Sequence, residues 1–247
     1  MNPVQEDRPF RLLDAAAKAT TVALTRANIR HGFIGGYATS LIGGSRMTED
    51  IDVIVDSDAS DARSVLLRAD ARFTMTPSSR LVFSGGGDGP IAVELFRGGK
   101  DKQMKLPDAN AVSLLFVTAN DLPGRVEEIP SKYLFILLDP LFAVTHRAQV
   151  PIIAPSVLVF TKLKRWAFIA DSTRPASIRK AGADIKDIHV ILTWLRNNDG
   201  LLDFEGYPEK PRHELIALVR KLYQMHTTTR PLLAVTLSAD DLTLISN

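Results

Sequence analysis

The chain has 247 residues, 45% of them hydrophobic, which is enough for one large domain or two modest domains with a proper core. Its formal net charge of +2 at pH 7 is too small to indicate a nucleic-acid-binding protein by itself. The absence of cysteine excludes disulfides and thiolate zinc sites and favours a reducing compartment, so we expect a cytoplasmic protein.

The hydropathy pattern predicts no membrane segment. The first ten residues, MNPVQEDRPF, are polar and lack the apolar region of a secretory signal. The most apolar run, residues 133–144, is interrupted by Asp139 and Pro140 and is shorter than the roughly 20 apolar residues that cross a bilayer. We therefore expect a soluble protein.

Residues 10–30 predict the first helix. Apolar side chains recur there at helical spacing, at Leu12, Leu13, Ala16, Ala19, Val22 and Ala23. We expect this helix to pack under a sheet and to support the segment that follows.

The segment 33–55, FIGGYATSLIGGSRMTEDIDVIV, combines a glycine turn with an acidic strand. Phe33 and Ile34 indicate the end of a short strand, and Gly35-Gly36 lets the backbone turn and approach a ligand without a Cβ in the way. Residues 37–42 suit the start of a helix, whose first free N–H groups would face the turn. This arrangement predicts an anion site.

Residues 50–55, DIDVIV, predict a strand because β-branched side chains dominate. Side chains alternate along a strand, so Asp50 and Asp52 fall on the same face. Two adjacent carboxylates repel each other unless a cation lies between them, and hard oxygen ligands suit Mg²⁺. The alternative is that both acids form the wet face of an edge strand.

Between residues 57 and 96 the pattern predicts a helix and three strands, at 57–68, 72–76, 80–84 and 91–96. Residues 85–90, GGGDGP, are rich in glycine, but no Lys-Ser/Thr pair follows, so they favour a hairpin turn over a phosphate loop. Glu94 lies in an otherwise apolar strand, where burying a carboxylate is unfavourable unless it is paired or binds a cation. We predict that Glu94 is a third metal ligand; the alternative is an exposed edge-strand glutamate.

The stretch after the last of these strands is less regular. Residues 98–108, with Lys100, Lys102 and Lys105, indicate a solvated loop. The apolar pieces 112–118 and 133–138 either extend the sheet or begin a second domain.

Two prolines in residues 149–155 mark the predicted domain boundary, with one domain over 1–150 and a helical domain over 151–247. Ser156 is expected to cap a helix over 157–170. Residues 171–183 predict a loop, and the segment AGADIKDIHVILTWLRNN predicts a helix that ends before Gly200. Closing helices are predicted over 213–226 and 239–245.

The segment GGYATSLIGGSRMTEDIDV resembles the DNA polymerase β-like nucleotidyltransferase superfamily, with Gly-Gly, a spacer over 37–49 and then Asp-apolar-Asp. It is most similar to the AbiEii-type toxin branch, in which an Arg and a Thr or Ser precede the acidic pair, as Arg46 and Thr48 do here. The resemblance implies an α/β (α+β) fold, with a mixed-sheet nucleotidyltransferase core followed by a mainly helical C-terminal domain. It also implies a third acid at Glu94, where the family more often has Asp.

The same branch implies two contacts from the helical domain. A lysine that opens this domain contacts the triphosphate, and Lys162 stands at the comparable place, with Lys164 as a substitute; the alternative is a solvated face of a surface helix. Asp184 and Asp187 reproduce the acids of an Arg-Asp-apolar-x-Asp pattern, with Ala183 in place of the arginine. The role of that arginine is then unfilled, or Arg179 or Lys180 takes it. Alternatively, the two acids lie in the first turn of a helix, where one is a cap and the other interacts favourably with the helix dipole.

The resemblance implies transfer of a nucleoside monophosphate from an NTP to an acceptor hydroxyl, with release of pyrophosphate. The implied ligands of two Mg²⁺ ions, which Mn²⁺ could replace, are Asp50, Asp52 and Glu94. The nucleotide is expected to contact Gly35, Gly36, Tyr37, Thr39, Ser40, Arg46, Lys162 and Asp187. At position 37 the backbone N–H is the better contact, because Tyr37 replaces a small hydroxyl residue.

The acceptor is left open among the end of a transfer RNA or other RNA, a protein hydroxyl and a small molecule. Basic residues outnumber acidic residues by five between residues 156 and 196, which is compatible with an RNA backbone. The alternative function is a catalytically inactive module that binds a nucleotide or a partner protein on the same fold.

Overall fold

The computed structural model describes residues 8–85, 89–118, 127–128 and 149–246. The strands are β1 (His31–Ile34), β2 (Asp50–Val55), β3 (Phe73–Met75), β4 (Leu81–Phe83), β5 (Ile91–Arg97), β6 (Leu114–Thr118), β7 (Glu127–Glu128) and β8 (Gln149–Ile153). They form one mixed sheet in the order β3-β4-β5-β2-β1-β8-β6-β7. The helices are α1 (Arg8–Arg26), α2 (Gly35–Leu41), α3 (Ala59–Ala69), α4 (Pro155–Ile169), α5 (Pro175–Asn197), α6 (Arg212–Met225), α7 (Arg230–Thr236) and α8 (Ala239–Ser246), and a short 3₁₀ turn covers Thr227–Thr229.

The middle of the sheet brings three parts of the sequence together. β2 pairs antiparallel with β1 and parallel with β5, so Asp52 lies opposite Ile34 on one side and opposite Glu94 on the other. Because Ile34 is the last residue before the glycine turn, this register places the turn beside Asp52. The predicted mixed α/β core is confirmed.

The edge-strand alternative for the acidic residues is wrong. β2 lies between β1 and β5, and β5 lies between β2 and β4. Glu94 is nevertheless exposed, because it lies beyond the part of β5 that pairs with β4, whose partners are Ile91 and Ala92.

Helices α1 and α3 pack against each other and against the central strands, and the prediction that the first helix packs under the sheet is confirmed. The buried stripe of α1 includes Leu13, Ala16 and Leu24, whereas Val22 is exposed. The difference arises because the packed face of a helix is only part of its circumference, and position 22 falls outside it.

Two prolines start helices where the sequence suggested breaks. Pro155 occupies the first turn of α4, so Ser156 lies inside the helix and Ala154 is its N-cap residue. Pro175 likewise begins α5, so the loop prediction for 171–183 is wrong from residue 175 onward. Proline is favoured at the first helical position because its φ is already helical and its missing N–H would be unpaired there anyway.

The apolar piece 112–118 extends the sheet and does not begin a second domain, because its strand β6 pairs antiparallel with β8. The apolar piece 133–138 lies outside the described residues, as do residues 86–88 of the predicted hairpin turn, although β4 and β5 pair antiparallel on either side of them. The division into domains 1–150 and 151–247 stays a prediction. None of the described helices is long and apolar enough to cross a membrane.

Candidate active site

The glycine turn lies directly against the acidic strand. Gly35 has φ of +73°, and a Cβ on it would lie 1.9 Å from the Oδ2 atom of Asp52. A Cβ on Gly36 would lie 2.7 Å from the Nη2 atom of Arg46 and 2.8 Å from the Oγ1 atom of Thr48. Only glycine fits position 35, and a side chain at position 36 would displace Arg46 or Thr48, so the turn brings its backbone up to a carboxylate and a guanidinium.

Three carboxylates lie on the neighbouring strands β2 and β5 beside this turn. Asp50 and Asp52 lie on the same face of β2, and Glu94 is the neighbour of Asp52 on β5. Thr48 donates a hydrogen bond of 2.7 Å from its hydroxyl to the Oδ1 atom of Asp50. Burial, together with the negative charges of Asp50 and Glu94, raises the pKa of Asp52 to about 6.

The carboxylates beside this turn suit a divalent cation that binds together with a phosphate group. Among the described residues, no three His, Cys, Asp or Glu side chains are grouped so as to hold a metal ion by themselves. Mg²⁺ does not need such a cage, since it commonly takes one or two carboxylates and fills its shell with water and substrate phosphates. Asp50 and Asp52 supply such a pair. The pKa of Asp52 is raised first by burial and then by the charges of Asp50 and Glu94, and a bound cation would offset both effects by stabilising the ionised form.

The raised pKa of Asp52 predicts how the free energy of unfolding depends on pH. The ionised form of Asp52 is disfavoured in the folded state, so its contribution to the free energy of unfolding falls as pH rises from about 4 through about 6. Asp52→Asn removes the charge with little change of shape. We expect the variant to be more stable than the wild type at pH 8 by about 1–3 kcal/mol, with no gain at pH 4.

Thermal denaturation in a chelator at pH 4 and pH 8 measures this difference, expected as a rise in Tm of roughly 3–8 °C at pH 8 only. The control is Asp101→Asn, which removes an exposed loop carboxylate and should leave Tm unchanged. A lower Tm for Asp52→Asn at pH 8 would contradict the charge balance described for this site.

Asp187 on α5 binds two cations. The Nζ atom of Lys162 lies 2.6 Å from its Oδ2 atom, and Arg46 donates from Nε at 3.2 Å and from Nη2 at 3.1 Å. The side chain of Lys162 is only 2% exposed, so the solvated-face alternative is wrong for this lysine. Contacts between Asp187, α4 and the loop before β2 therefore fix the helices to the sheet beside the carboxylates.

Lys164 does not take the place of Lys162. Its Nζ atom contacts the carbonyl oxygens of Met104 and Lys105 and the hydroxyl of Tyr207. Burial lowers its pKa to about 8. Lys164 thus anchors the lysine-rich loop over 98–108 instead of serving the carboxylate cluster.

The sequence did not predict the partner of Asp184. Arg165 on α4 grips this carboxylate with two nitrogens, Nε at 2.9 Å from Oδ2 and Nη2 at Oδ1. Asp184 lies in the third turn of α5 and Asp187 in the fourth, so the interpretation as a cap and a dipole partner of a first turn is wrong. No spacing in the sequence indicates the pair of Arg165 and Asp184, because the two residues lie on different helices, and only the packing of α4 on α5 shows that they meet.

The hydroxyls of Tyr37, Thr39 and Ser40 all have partners within the protein. The Tyr37 hydroxyl donates to the Oδ1 atom of Asp14 at 2.8 Å, and Tyr37 is fully buried. Thr39 donates to the Gly35 carbonyl oxygen at 3.0 Å, and Ser40 to the Tyr37 carbonyl oxygen at 2.7 Å. These hydroxyls are engaged within α2 or against α1, which leaves backbone N–H groups as the contacts the turn can offer.

The comparisons with known proteins bear on the fold. No family model matches the sequence, and no curated protein matches it. The structure is similar to an antigenic nucleotidyltransferase-like protein from Paracoccidioides brasiliensis, with a TM-score of 0.65 and 18% identity over 96% of this chain and 98% of that chain. A weaker likeness, with a TM-score of 0.44 and 11% identity over 89% of this chain and 97% of the other, is to the antibiotic-resistance factor ANT(2'')-Ia. The chain has the fold of a nucleotidyltransferase-like protein.

Proposed function

We propose that this chain is a Mg²⁺-dependent nucleotidyltransferase of the AbiEii type, which moves a nucleoside monophosphate from an NTP to an acceptor hydroxyl. The observation that carries the proposal is the contact between the glycine turn and Asp52, with Asp50 and Glu94 beside it. A nucleotide needs both halves of this arrangement, a backbone surface for its phosphates and carboxylates for the cation that travels with it.

The reaction forms a bond between the acceptor oxygen and the α-phosphorus and breaks the bond between that phosphorus and the β-phosphate oxygen. Pyrophosphate leaves, and the proton of the hydroxyl passes to a base. Glu94 is suited to take this proton, because it is exposed and lies next to Asp52. Asp50 and Asp52 would hold Mg²⁺, which lowers the pKa of the attacking hydroxyl and offsets phosphate charge.

The cations around Asp187 complete the site. Arg46 borders Gly36, and Lys162 is close enough to Asp52 for its charge to lower the pKa of that carboxyl. Opposite charges thus face each other across the site, which suits a Mg²⁺–triphosphate complex that carries both signs.

The acceptor is proposed to be the end of an RNA, such as a transfer RNA, or the hydroxyl of a protein or small molecule. The excess of basic residues between positions 156 and 196 is compatible with an anionic acceptor, although the triphosphate accounts for part of it and Lys162 and Lys164 contact groups of the protein itself. A cytoplasmic location fits an NTP substrate and the absence of cysteine.

Calorimetric titration of each NTP, with Mg²⁺ and with chelator, tests the proposal. We expect one or more NTPs to bind with Mg²⁺ at least tenfold more tightly than without it, because the carboxylates repel a bare triphosphate. Equal affinity in chelator, with no product after long incubation, would contradict an enzyme and favour the inactive binding module.

A further inference from the structure

The three cations near Asp52 differ in how many of their donors the protein already uses. Lys162 is almost fully buried, and its ammonium is held by Asp187. Arg46 uses Nε and Nη2 on Asp187 and directs Nη1 to the carbonyl oxygen of Met47. All three nitrogens of Arg46 and the one nitrogen of Lys162 therefore already contact oxygen atoms of the protein.

Arg165 differs from both. Its Nε and Nη2 bind Asp184, whereas Nη1 has no hydrogen-bond partner in the part of the chain that the structure describes. The side chain is 39% exposed, although the carboxylate that holds it is fully buried. A guanidinium fixed on one edge and open on the other is suited to bind a phosphate, whose oxygens match its planar donors.

The position of Arg165 fits the same role. Arg165 follows Lys162 by about one turn of α4, and their partners Asp184 and Asp187 are likewise about one turn apart on α5. The Arg165–Asp184 pair therefore lies next to the Lys162–Asp187 pair. Nearby, α5 contacts α2, the helix that begins at the glycine turn. Asp187 also binds Arg46, which borders Gly36, so both ion pairs lie near the glycine turn.

We infer that Arg165 is the side chain that binds the phosphates of the donor nucleotide, and that Asp184 is its positioning residue. This rests on the proposed function and reassigns the phosphate contact within it. Lys162, which the sequence suggested for that contact, instead holds Asp187 and the packing of α4 on α5. Burying the carboxylate of Asp184 costs free energy unless a cation pairs with it. Its pairing with Arg165 fixes the rotamer of this half-exposed arginine before any ligand binds.

The test measures the dissociation constants of the best-binding NTP and of inorganic tripolyphosphate, both with Mg²⁺. Arg165→Met should raise both dissociation constants by at least tenfold. Arg165→Lys should raise them less, because lysine keeps the positive charge but lacks the planar set of donors of a guanidinium. The control is Arg174→Met, which removes an exposed arginine from the turn between the same two helices and should bind like the wild type.

Asp184→Asn tests the positioning role through a double-mutant cycle. The variant should weaken tripolyphosphate binding in the wild-type background and have no further effect in the Arg165→Met background, because it acts only through Arg165. A merely structural carboxylate would weaken binding equally in both. If Asp184→Asn fails to fold, the Arg165→Met and Arg165→Lys pair still decides whether the arginine binds phosphate.

The outcomes separate this inference from the proposed function. Wild-type binding of an NTP combined with unchanged affinity in Arg165→Met overturns the inference and leaves the proposed function standing. Equal losses for Asp184→Asn in the two backgrounds overturn the positioning role. No binding of any NTP by the wild type overturns the proposed function and the inference with it.

Discussion

Replacing Asp50 and Asp52 together by alanine will abolish NTP-dependent transfer without unfolding the chain. The two carboxylates share one face of β2, and Asp52 touches the glycine turn, so they are the ligands best placed to hold the cation. Their loss should slow turnover by at least about 10³-fold, which is roughly 4 kcal/mol of transition-state stabilisation. Pyrophosphate release under saturating NTP and Mg²⁺ measures the loss.

A matched control comes from the same segment. Asp56 and Asp58 have the same spacing but follow the end of β2, and Asp58 pairs with exposed Arg97 instead of facing the turn. The Asp56→Ala/Asp58→Ala variant should keep wild-type turnover. Normal turnover in the Asp50→Ala/Asp52→Ala variant, with circular dichroism showing an intact fold, would contradict the assignment of the metal ligands.

Asp187→Ala will be strongly destabilising. The change leaves the ammonium of Lys162 buried without its partner and removes both contacts of Arg46. Breaking one side of a buried ion pair costs about 3–5 kcal/mol, because the remaining charge stays out of water. Chemical denaturation measures the free energy of unfolding, and the corresponding fall in Tm is on the order of 10 °C.

The surface pair of Asp171 and Lys221 supplies the control. Asp171 is 75% exposed, so Asp171→Ala should cost less than about 1 kcal/mol. Adding Lys162→Met to Asp187→Ala should recover part of the loss, because it removes the buried charge. Equal effects of Asp187→Ala and Asp171→Ala would show that the buried pair does not hold the helices in place.

Local sequence patterns predicted where the central residues of the candidate site lie. The glycine turn and the Asp50–Asp52 pair are close in sequence, and alternation along one strand is enough to put both acids on one face. The turn at Gly35 likewise follows from residue type, since its positive φ and its contact with Asp52 exclude a side chain.

Contacts between distant elements could not be predicted in the same way. The pairing of Arg165 with Asp184 depends on how α4 packs against α5. The periodic pattern of one helix indicates which face is packed, but it does not indicate which residues of another helix that face contacts. Pro155 and Pro175 were interpreted as breaks because proline ends helices as well as starting them, and only the backbone around each shows which applies. The hydroxyls of Thr39 and Ser40 bind carbonyls of their own helix, a local competition that composition does not reveal.

The position of the label in an NTP tests the central claim most directly. The purified chain is incubated with Mg²⁺, total RNA and protein, and an NTP labelled at either the α- or the γ-phosphate. Nucleotidyl transfer predicts that the α-label becomes covalently attached to an acceptor and that the γ-label is released as pyrophosphate, both dependent on Asp50 and Asp52. Attachment of the γ-label to an acceptor, or its release as inorganic phosphate, would contradict it.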